Sequence, residues 1–134
     1  MKGEKVFNIF ERGEKTLKLR DIKDALNAEV LCGEDLLDNE ILYAFGSDLM
    51  SDVLAFVKTG TILLTGLVNS QVIRTAEMAD INAILFVRGK LPDKDVIELA
   101  RENSMVILAT DYTLFTTSGI LYNCGLRGVE ACKV

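Results

Sequence analysis

Short apolar runs, each followed by a small turn and an amphipathic helical pattern, recur between positions 61 and 110 and constrain the fold most strongly. The unit occurs twice in full, from the runs at 61–66 and 83–89, and begins a third time at 105–110. Alternation of strand, turn and helix is typical of βαβ units, whose strands run parallel. The pattern therefore predicts an α/β fold: a layered, mostly parallel sheet of about 4–5 strands with flanking helices.

The segment before this repeat contributes two more strands. Residues 28–33 form a short apolar run closed by glycine, and residues 41–45 are apolar on both faces of the predicted strand. A strand without a polar face is expected to be buried on both sides. A helix should follow as far as Lys58, with Ser47 or Asp48 as its N-cap.

Helix boundaries are indicated by capping residues. Asn27 is a plausible left-handed stop for a helix that begins near Leu19, and Asn69 or Ser70 can cap the first helix of the repeat. Pro92 and the acidic residues after it are typical of a first helical turn. The last helix is expected from about Thr113, with Leu114, Phe115, Ile120 and Leu121 as its apolar positions.

Length and composition favour one domain. A chain of 134 residues with 49% hydrophobic residues can bury a sizeable core, and 26% of its residues are charged. We predict an N-terminal arm at 1–16, a single α/β domain at 17–126 and a frayed C-terminal tail at 127–134. The surplus of apolar residues favours a homodimer over a merely well-filled core.

Charge and cysteine content exclude several classes of protein. The net charge of −5 and the absence of a basic strip argue against a nucleic-acid partner, and no apolar run is long enough to span a membrane. Without histidine, three scattered cysteines offer no metal site. Free thiols and the lack of a secretory signal indicate a cytoplasmic protein, with Cys124 in the core or at an interface.

The ends of the predicted parallel strands supply the candidate ligand site. In such a sheet all strand-to-helix turns fall on one edge, where glycine N–H groups and helix N-termini attract anions. We therefore expect a small anionic metabolite, such as a nucleotide, at the C-terminal edge of the sheet. The candidate ligand-binding residues are Ser47, Asp48, Thr65, Gly66, Asn69, Arg88, Gly89, Thr110 and Asp111.

The same residues also suit turn geometry and helix capping, so a purely structural role stays open. Arg88 is explained least by that role, and it either binds an anion or pairs with Asp111 or Asp48. The sequence contains neither a P-loop nor a dinucleotide-binding glycine motif, and no histidine could activate a serine. These features predict no catalytic residues, no cofactor and no enzymatic activity.

Three phrases, at 28–33, 43–54 and 107–115, together with the order of elements over about four fifths of the chain, resemble the DRTGG domain family. That resemblance implies a fold like the N-terminal domain of HPr kinase/phosphorylase and a role in subunit contacts and regulation. The residues that give the family its name align with Asn69-Ser70 and with 87–89, where only Gly89 agrees.

Taken together, these observations predict a non-catalytic regulatory or assembly module that dimerises and binds a small anionic metabolite. The alternative is a pure interaction subunit of a larger metabolic enzyme, with no ligand of its own. A small enzyme acting on a phosphorylated compound is the third hypothesis.

Overall fold

The computed structural model of the chain describes residues 16–129. The predicted arm, apart from Thr16, and residues 130–134 of the predicted tail lie outside this range. The elements in chain order are β1 (Leu17–Lys18), α1 (Leu19–Ala25), β2 (Glu29–Cys32), a short 3₁₀ turn (Glu34–Leu36), β3 (Glu40–Ile41), β4 (Tyr43–Gly46), α2 (Met50–Phe56), β5 (Thr61–Thr65), α3 (Ser70–Met78), β6 (Ala83–Phe86), α4 (Lys94–Glu102), β7 (Val106–Ala109), α5 (Leu114–Asn123) and β8 (Arg127–Gly128).

Six strands form the main sheet in the order β2-β7-β6-β5-β4-β8, and β1 pairs with β3 in a separate ribbon. The ladders that join β7, β6, β5, β4 and β8 are all parallel. The prediction of a layered, mostly parallel α/β sheet is thereby confirmed. Within this sheet only β2 runs antiparallel, and it joins at the edge beside β7.

The sixth strand comes from a segment that the sequence predicts to be frayed. Arg127 and Gly128 pair with Tyr43 and Ala44 of β4, so the sheet continues two residues into the predicted tail. A two-residue strand without an apolar run leaves no periodic signal in a sequence. Its backbone partners, which the sequence does not reveal, make it a strand.

The helices cover both faces of the sheet and give a three-layered molecule. Strands β5, β6 and β7 are buried at every position. Alternate residues of each strand enter opposite cores, so that Ile62 and Leu64 face α1 and α5 while Leu63 faces α2, α3 and α4. This two-sided burial explains why the strands read as continuous apolar runs.

Strand β4 differs from its prediction of burial on both sides. Tyr43, Ala44 and Phe45 are only partly buried and Gly46 is exposed. The reason is its position next to the short β8, which covers only the first half of its outer edge. Ile41 belongs to the separate ribbon and is buried there.

The predicted cap of α2 is also wrong. The N-cap position is Leu49, without a side-chain hydrogen bond, and the helix ends at Phe56 and not at Lys58. The Ser47 hydroxyl accepts from the Leu49 N–H at 2.9 Å, which is a local turn before the helix. Asp48 contacts the next turn of the sheet instead of capping its own helix.

Other boundaries agree with the sequence more closely. Asn27 has a φ of 51°, as expected for a left-handed stop. Asn69 occupies the N-cap position of α3 without a side-chain bond, whereas the Asp93 carboxylate caps α4 by accepting from the Val96 N–H. In α5, Leu121 is buried but Phe115 is 88% exposed, so the apolar positions predicted for this helix do not all face the sheet.

Candidate functional site

Four strand-to-helix turns lie side by side along the carboxyl edge of the parallel strands. The register pairs Gly46 with Leu64, Thr65 with Phe86, and Phe86 with Ala109. The residues that follow these pairs therefore form a row from β4 to β7. Each neighbouring pair of turns in the row is joined by at least one contact, as described below.

Asp48 links the turn after β4 to the turn after β5. Its Oδ1 accepts from the Thr65 hydroxyl and from the Gly66 N–H, both at 2.8 Å. These two hydrogen bonds, with a smaller contribution from the charge of Arg88, hold the pKa of the Asp48 carboxyl below its ordinary value. The carboxylate is therefore ionised at neutral pH and fixes the geometry of the Thr65-Gly66 turn.

Arg88 links the turn after β6 to the turn after β5. Its guanidinium lies directly over Gly66, where an added Cβ would overlap Nη2 and lie 3.2 Å from Cζ. Only glycine leaves room for this contact. Among residues 16–129 no carboxylate lies within ion-pair distance of Arg88, so neither Asp48 nor Asp111 forms the predicted salt bridge.

The backbone of Arg88 is held in an unusual conformation. Arg88 and Gly89 have φ of 63° and 69°, and the Lys90 N–H donates to the Val87 carbonyl at 3.2 Å, as in a type I′ turn. A left-handed conformation is unfavourable for a residue with a long side chain by about 1 kcal/mol or more. Contacts with other parts of the fold must therefore stabilise this turn.

The turn after β7 provides that support. The Arg88 N–H donates to the carbonyl of Tyr112 at 2.8 Å, and the Gly89 N–H donates to the carbonyl of Thr110 at 3.0 Å. The Asp111 carboxylate lies close to Gly89, 3.3 Å from the position of an added Cβ. The last two turns of the row thus form one hydrogen-bonded unit that positions Arg88.

Most of the predicted site residues are brought together in this row, although the side chains of three of them form no hydrogen bond to a neighbouring turn. Ser47 bonds only within its own turn, and the Asn69 side chain has no hydrogen bond that joins it to the others. Thr110 is buried, and its hydroxyl donates to the carbonyl of Leu26 at 2.9 Å. Thr110 therefore connects α1 to the sheet.

The glycine N–H groups expected to bind an anion already have partners. The Gly66 N–H donates to Asp48, and the Gly89 N–H donates to Thr110. Other donors at this edge include the guanidinium of Arg88 and first-turn N–H groups of α2, α3 and α5, none of which has a side-chain cap. The edge thus offers the guanidinium of Arg88, with the carboxylates of Asp48 and Asp111 in the neighbouring turns.

The opposite edge of the sheet contains a cavity that the sequence does not predict. Its volume is about 260 Å³, and it opens where β3, β5 and β6 begin. The lining combines carboxylate, carboxamide and hydroxyl groups with the backbone of Gly60, and the Thr59 hydroxyl donates to Asp80 at its rim. No cation lies in the lining, so an anion is not the ligand that this cavity suits.

The two described cysteines, Cys32 and Cys124, do not belong to the row of turns. Cys32 is buried, burial raises the pKa of its thiol, and the thiol donates to the carbonyl of Met105. Cys124 is exposed, which excludes the core position, and its alternative position at an interface stays a prediction. Cys132 lies outside the described residues. Within residues 16–129 no cluster of ligating side chains suits a metal ion.

The helices that surround the site are short. Over the described part of the chain, none has the length and apolar character needed to cross a bilayer.

Sequence reasoning missed the backbone groups that hold the site. The carbonyls of Tyr112 and Leu26 fix Arg88 and Thr110, yet a carbonyl carries no residue-specific signal. The Arg-Gly pair was a usable signal, since a turn with positive φ at both central residues favours glycine at the second of them.

The sequence and the fold of the chain were each found to be similar to known proteins. A profile of the DRTGG domain matches residues 21–124. No curated protein matches the sequence significantly. Among solved structures, the chain is similar to the CBS and DRTGG domains of the regulatory region of Clostridium perfringens pyrophosphatase, crystallised with its activator diadenosine tetraphosphate.

The likeness to that structure is one of fold. The identity is 21% and the TM-score 0.63, over 78% of this chain and 45% of the other. The chain therefore spans less than half the length of the protein it resembles.

Proposed function

The chain belongs to the DRTGG domain family, a family of regulatory modules, and we propose that it dimerises and binds a nucleotide or similar small anionic metabolite at the carboxyl edge of its sheet. In this role the module transmits the presence of the ligand and carries out no chemistry itself.

Arg88 carries the proposal. Its backbone is left-handed, its guanidinium lies over a glycine that leaves room for it, and no carboxylate among residues 16–129 pairs with it. A strained residue that packing alone does not require indicates a functional position. A guanidinium at the strand-end edge, with free planar N–H donors, suits a phosphate group.

The neighbouring carboxylates favour a nucleotide over inorganic phosphate. Asp48 uses Oδ1 for the Thr65 and Gly66 donors, which leaves Oδ2 able to accept from a ligand. Asp111 is exposed beside Gly89. A ligand with both a phosphate for Arg88 and hydroxyl donors for these acceptors fits this charge pattern, and ribose supplies such hydroxyls. The pyrophosphatase regulatory region, which has a related fold, binds diadenosine tetraphosphate.

Isothermal titration calorimetry and thermal shift test the ligand. The panel is ATP, AMP, diadenosine tetraphosphate, ribose 5-phosphate, adenosine and inorganic phosphate. We expect at least one nucleotide to bind and to stabilise the protein by about 2.7 kcal/mol at 100 times its Kd. Adenosine, which lacks phosphate, should bind much more weakly.

Arg88→Ala should abolish this stabilisation, and Arg88→Lys should restore only part of it, because an ammonium cannot bind phosphate in a bidentate manner. Arg74→Ala is the matched control, since Arg74 is an exposed arginine on the outside of α3. Nucleotide binding that survives Arg88→Ala unchanged would show that the ligand site lies elsewhere.

A pure interaction subunit is the second candidate. It is favoured by large apolar side chains exposed on both helical layers, such as Leu54, Met78 and Phe115. This function predicts no thermal shift from any compound in the panel, together with stable co-purification of one defined metabolic enzyme.

A further inference from the structure

The outward face of α5, centred on Phe115 and Gly119, has no partner within the described chain, and we propose that a second copy of the protein packs against it. The inference rests on the proposed function, since it identifies the surface through which the module dimerises.

Exposure and charge set α5 apart from the other helices. Phe115 is 88% exposed and Tyr122 is 56% exposed, while Leu121 on the opposite side is buried in the core. Between Asp111 and Arg127 the sequence contains no charged residue. A helix that is apolar or uncharged all round is typical of buried positions, yet α5 has only one side against the sheet.

No contact described within the protomer explains why residue 119 is a glycine. A Cβ added there would meet nothing within 4 Å, and its φ does not require glycine. Glycine inside a helix lowers stability by roughly 0.5–1 kcal/mol relative to alanine, so another reason is needed for it. Close approach of a second helix backbone or side chain supplies that reason.

The geometry of this face suits a two-fold dimer. Phe115 projects from the helix one turn away from the open surface at Gly119. Two copies of α5 crossing about a two-fold axis can each place Phe115 against the partner's Gly119, which gives a self-complementary contact. Tyr112 and Tyr122 flank this contact, and the ring of Tyr122 is covered on one side by Arg127.

Electrostatics favour this face over the other exposed apolar surface. Each chain has a net charge of −5, so a contact that brings carboxylates of two copies close together is unfavourable, and a contact through residues 112–126, none of which is charged, avoids this. The alternative patch on α2 includes Leu49 and Leu54, but Asp48 directly precedes Leu49 and Asp52 lies between the two leucines in the sequence. A symmetric contact there would bring like charges together.

A ten-residue helix is about 15 Å long. Stable dimers bury about 800 Å² per partner, which is more than one such helix can supply, so in the proposed dimer α5 is the centre of a larger interface. Such a centre holds the residues whose truncation weakens binding most.

Sedimentation equilibrium of the full chain over a range of concentrations tests the proposal. We expect the wild type to dimerise, and Gly119→Glu and Phe115→Ser each to raise the dimer dissociation constant by roughly 30-fold or more. Gly119→Glu leaves the protomer intact because nothing lies near its Cβ, and circular dichroism checks this. Leu91→Ser is the matched control, because Leu91 is 58% exposed on a loop before α4.

The outcomes separate this inference from the proposed function. A wild-type dimer that both α5 variants leave unchanged overturns the inference alone. A wild type that stays monomeric at every concentration overturns dimerisation as a whole. Weakened dimers in both α5 variants but not in Leu91→Ser, with nucleotide binding retained, support the α5 interface.

Discussion

The two edges of the sheet use unusual backbone conformations for different reasons. At the amino edge, Gly33 has a φ of 88°, and a Cβ there would lie 2.8 Å from the Met105 carbonyl oxygen and the Val106 Cα. At the carboxyl edge, Arg88 also has a positive φ, but its guanidinium lies over Gly66 and its N–H donates to the carbonyl of Tyr112 in the turn after β7.

The positive φ at Gly33 is required by packing, whereas the positive φ at Arg88 has a candidate functional explanation. No other residue fits at Gly33, because the backbone of β7 occupies the space. At Arg88, glycine or asparagine would adopt the same turn with less strain. Of the non-glycine residues with positive φ in the described chain, Asn27, Asp80 and Ser104 are small and polar, and only Arg88 has a long side chain.

The largest effect is expected from Gly33→Ala. The substitution combines a strained φ with a clash against backbone that cannot move, and it should lower the free energy of unfolding by about 3 kcal/mol. Urea denaturation measures the loss. Gly33→Asn tolerates the positive φ but keeps the clash, so it should remain strongly destabilising. Near-wild-type stability of Gly33→Ala would remove the contrast between the edges.

A smaller loss is expected from Asp48→Ala, which leaves the Thr65 hydroxyl and the Gly66 N–H without their acceptor. The free energy of unfolding should fall by about 1–2 kcal/mol at pH 7. Asp52→Ala, on the first turn of the adjacent helix, is the control.

The pH dependence of this loss has a defined sign. Because the folded pKa of Asp48 lies below its ordinary value, the stabilisation is complete above that value, about 4, and disappears as the pH falls through the folded pKa. In urea titrations between pH 7 and pH 2.5, the difference in stability between wild type and Asp48→Asn should therefore shrink toward the acid end. A constant difference over that range would mean that ionisation of Asp48 is irrelevant to the turn.

Arg88→Gly should change stability in the opposite direction. Relief of the left-handed conformation is expected to raise the free energy of unfolding by about 0.5–1 kcal/mol while nucleotide binding is lost. Thermal unfolding and calorimetry on the same preparation measure both quantities. A destabilised Arg88→Gly variant would indicate that Arg88 is required for packing, like Gly33, and would cancel the distinction between the edges.

The smallest effect on stability is expected from Gly66→Ala. The new methyl group meets only the flexible end of Arg88, which can move aside, so the free energy of unfolding should change by less than about 0.5 kcal/mol. The displaced guanidinium should nevertheless weaken nucleotide binding at least several-fold. Calorimetry with the nucleotide identified for the wild type checks this, and unchanged affinity would show that the position of Arg88 over Gly66 is unimportant.

Sequence reasoning recovered the parts of the fold that depend on local patterns. Strands β5, β6 and β7 are buried on both faces, so each appears as an uninterrupted apolar run, and the helices after β5 and β6 follow from amphipathic spacing. The row of turns at one edge then follows from parallel strands and right-handed crossovers.

The details that the sequence could not provide depend on contacts between distant segments. β8 is a strand only because β4 lies beside it, and Asp48 leaves its own helix because Thr65 and Gly66 offer donors across the edge. The αL conformation of Arg88 depends on the carbonyls of Thr110 and Tyr112. Ligand binding by these residues stays a prediction until a nucleotide is titrated.

The pairing of β2 with β7 can form only late in the synthesis of the chain. The Cys32 thiol and the Met105 carbonyl that it contacts are 73 positions apart, so β2 leaves the ribosome long before its partner exists. Contacts this distant in sequence form late and slow the folding reaction. A nascent chain that stalls before β7 would expose the open side of β6 and an unpaired β2 to chaperones.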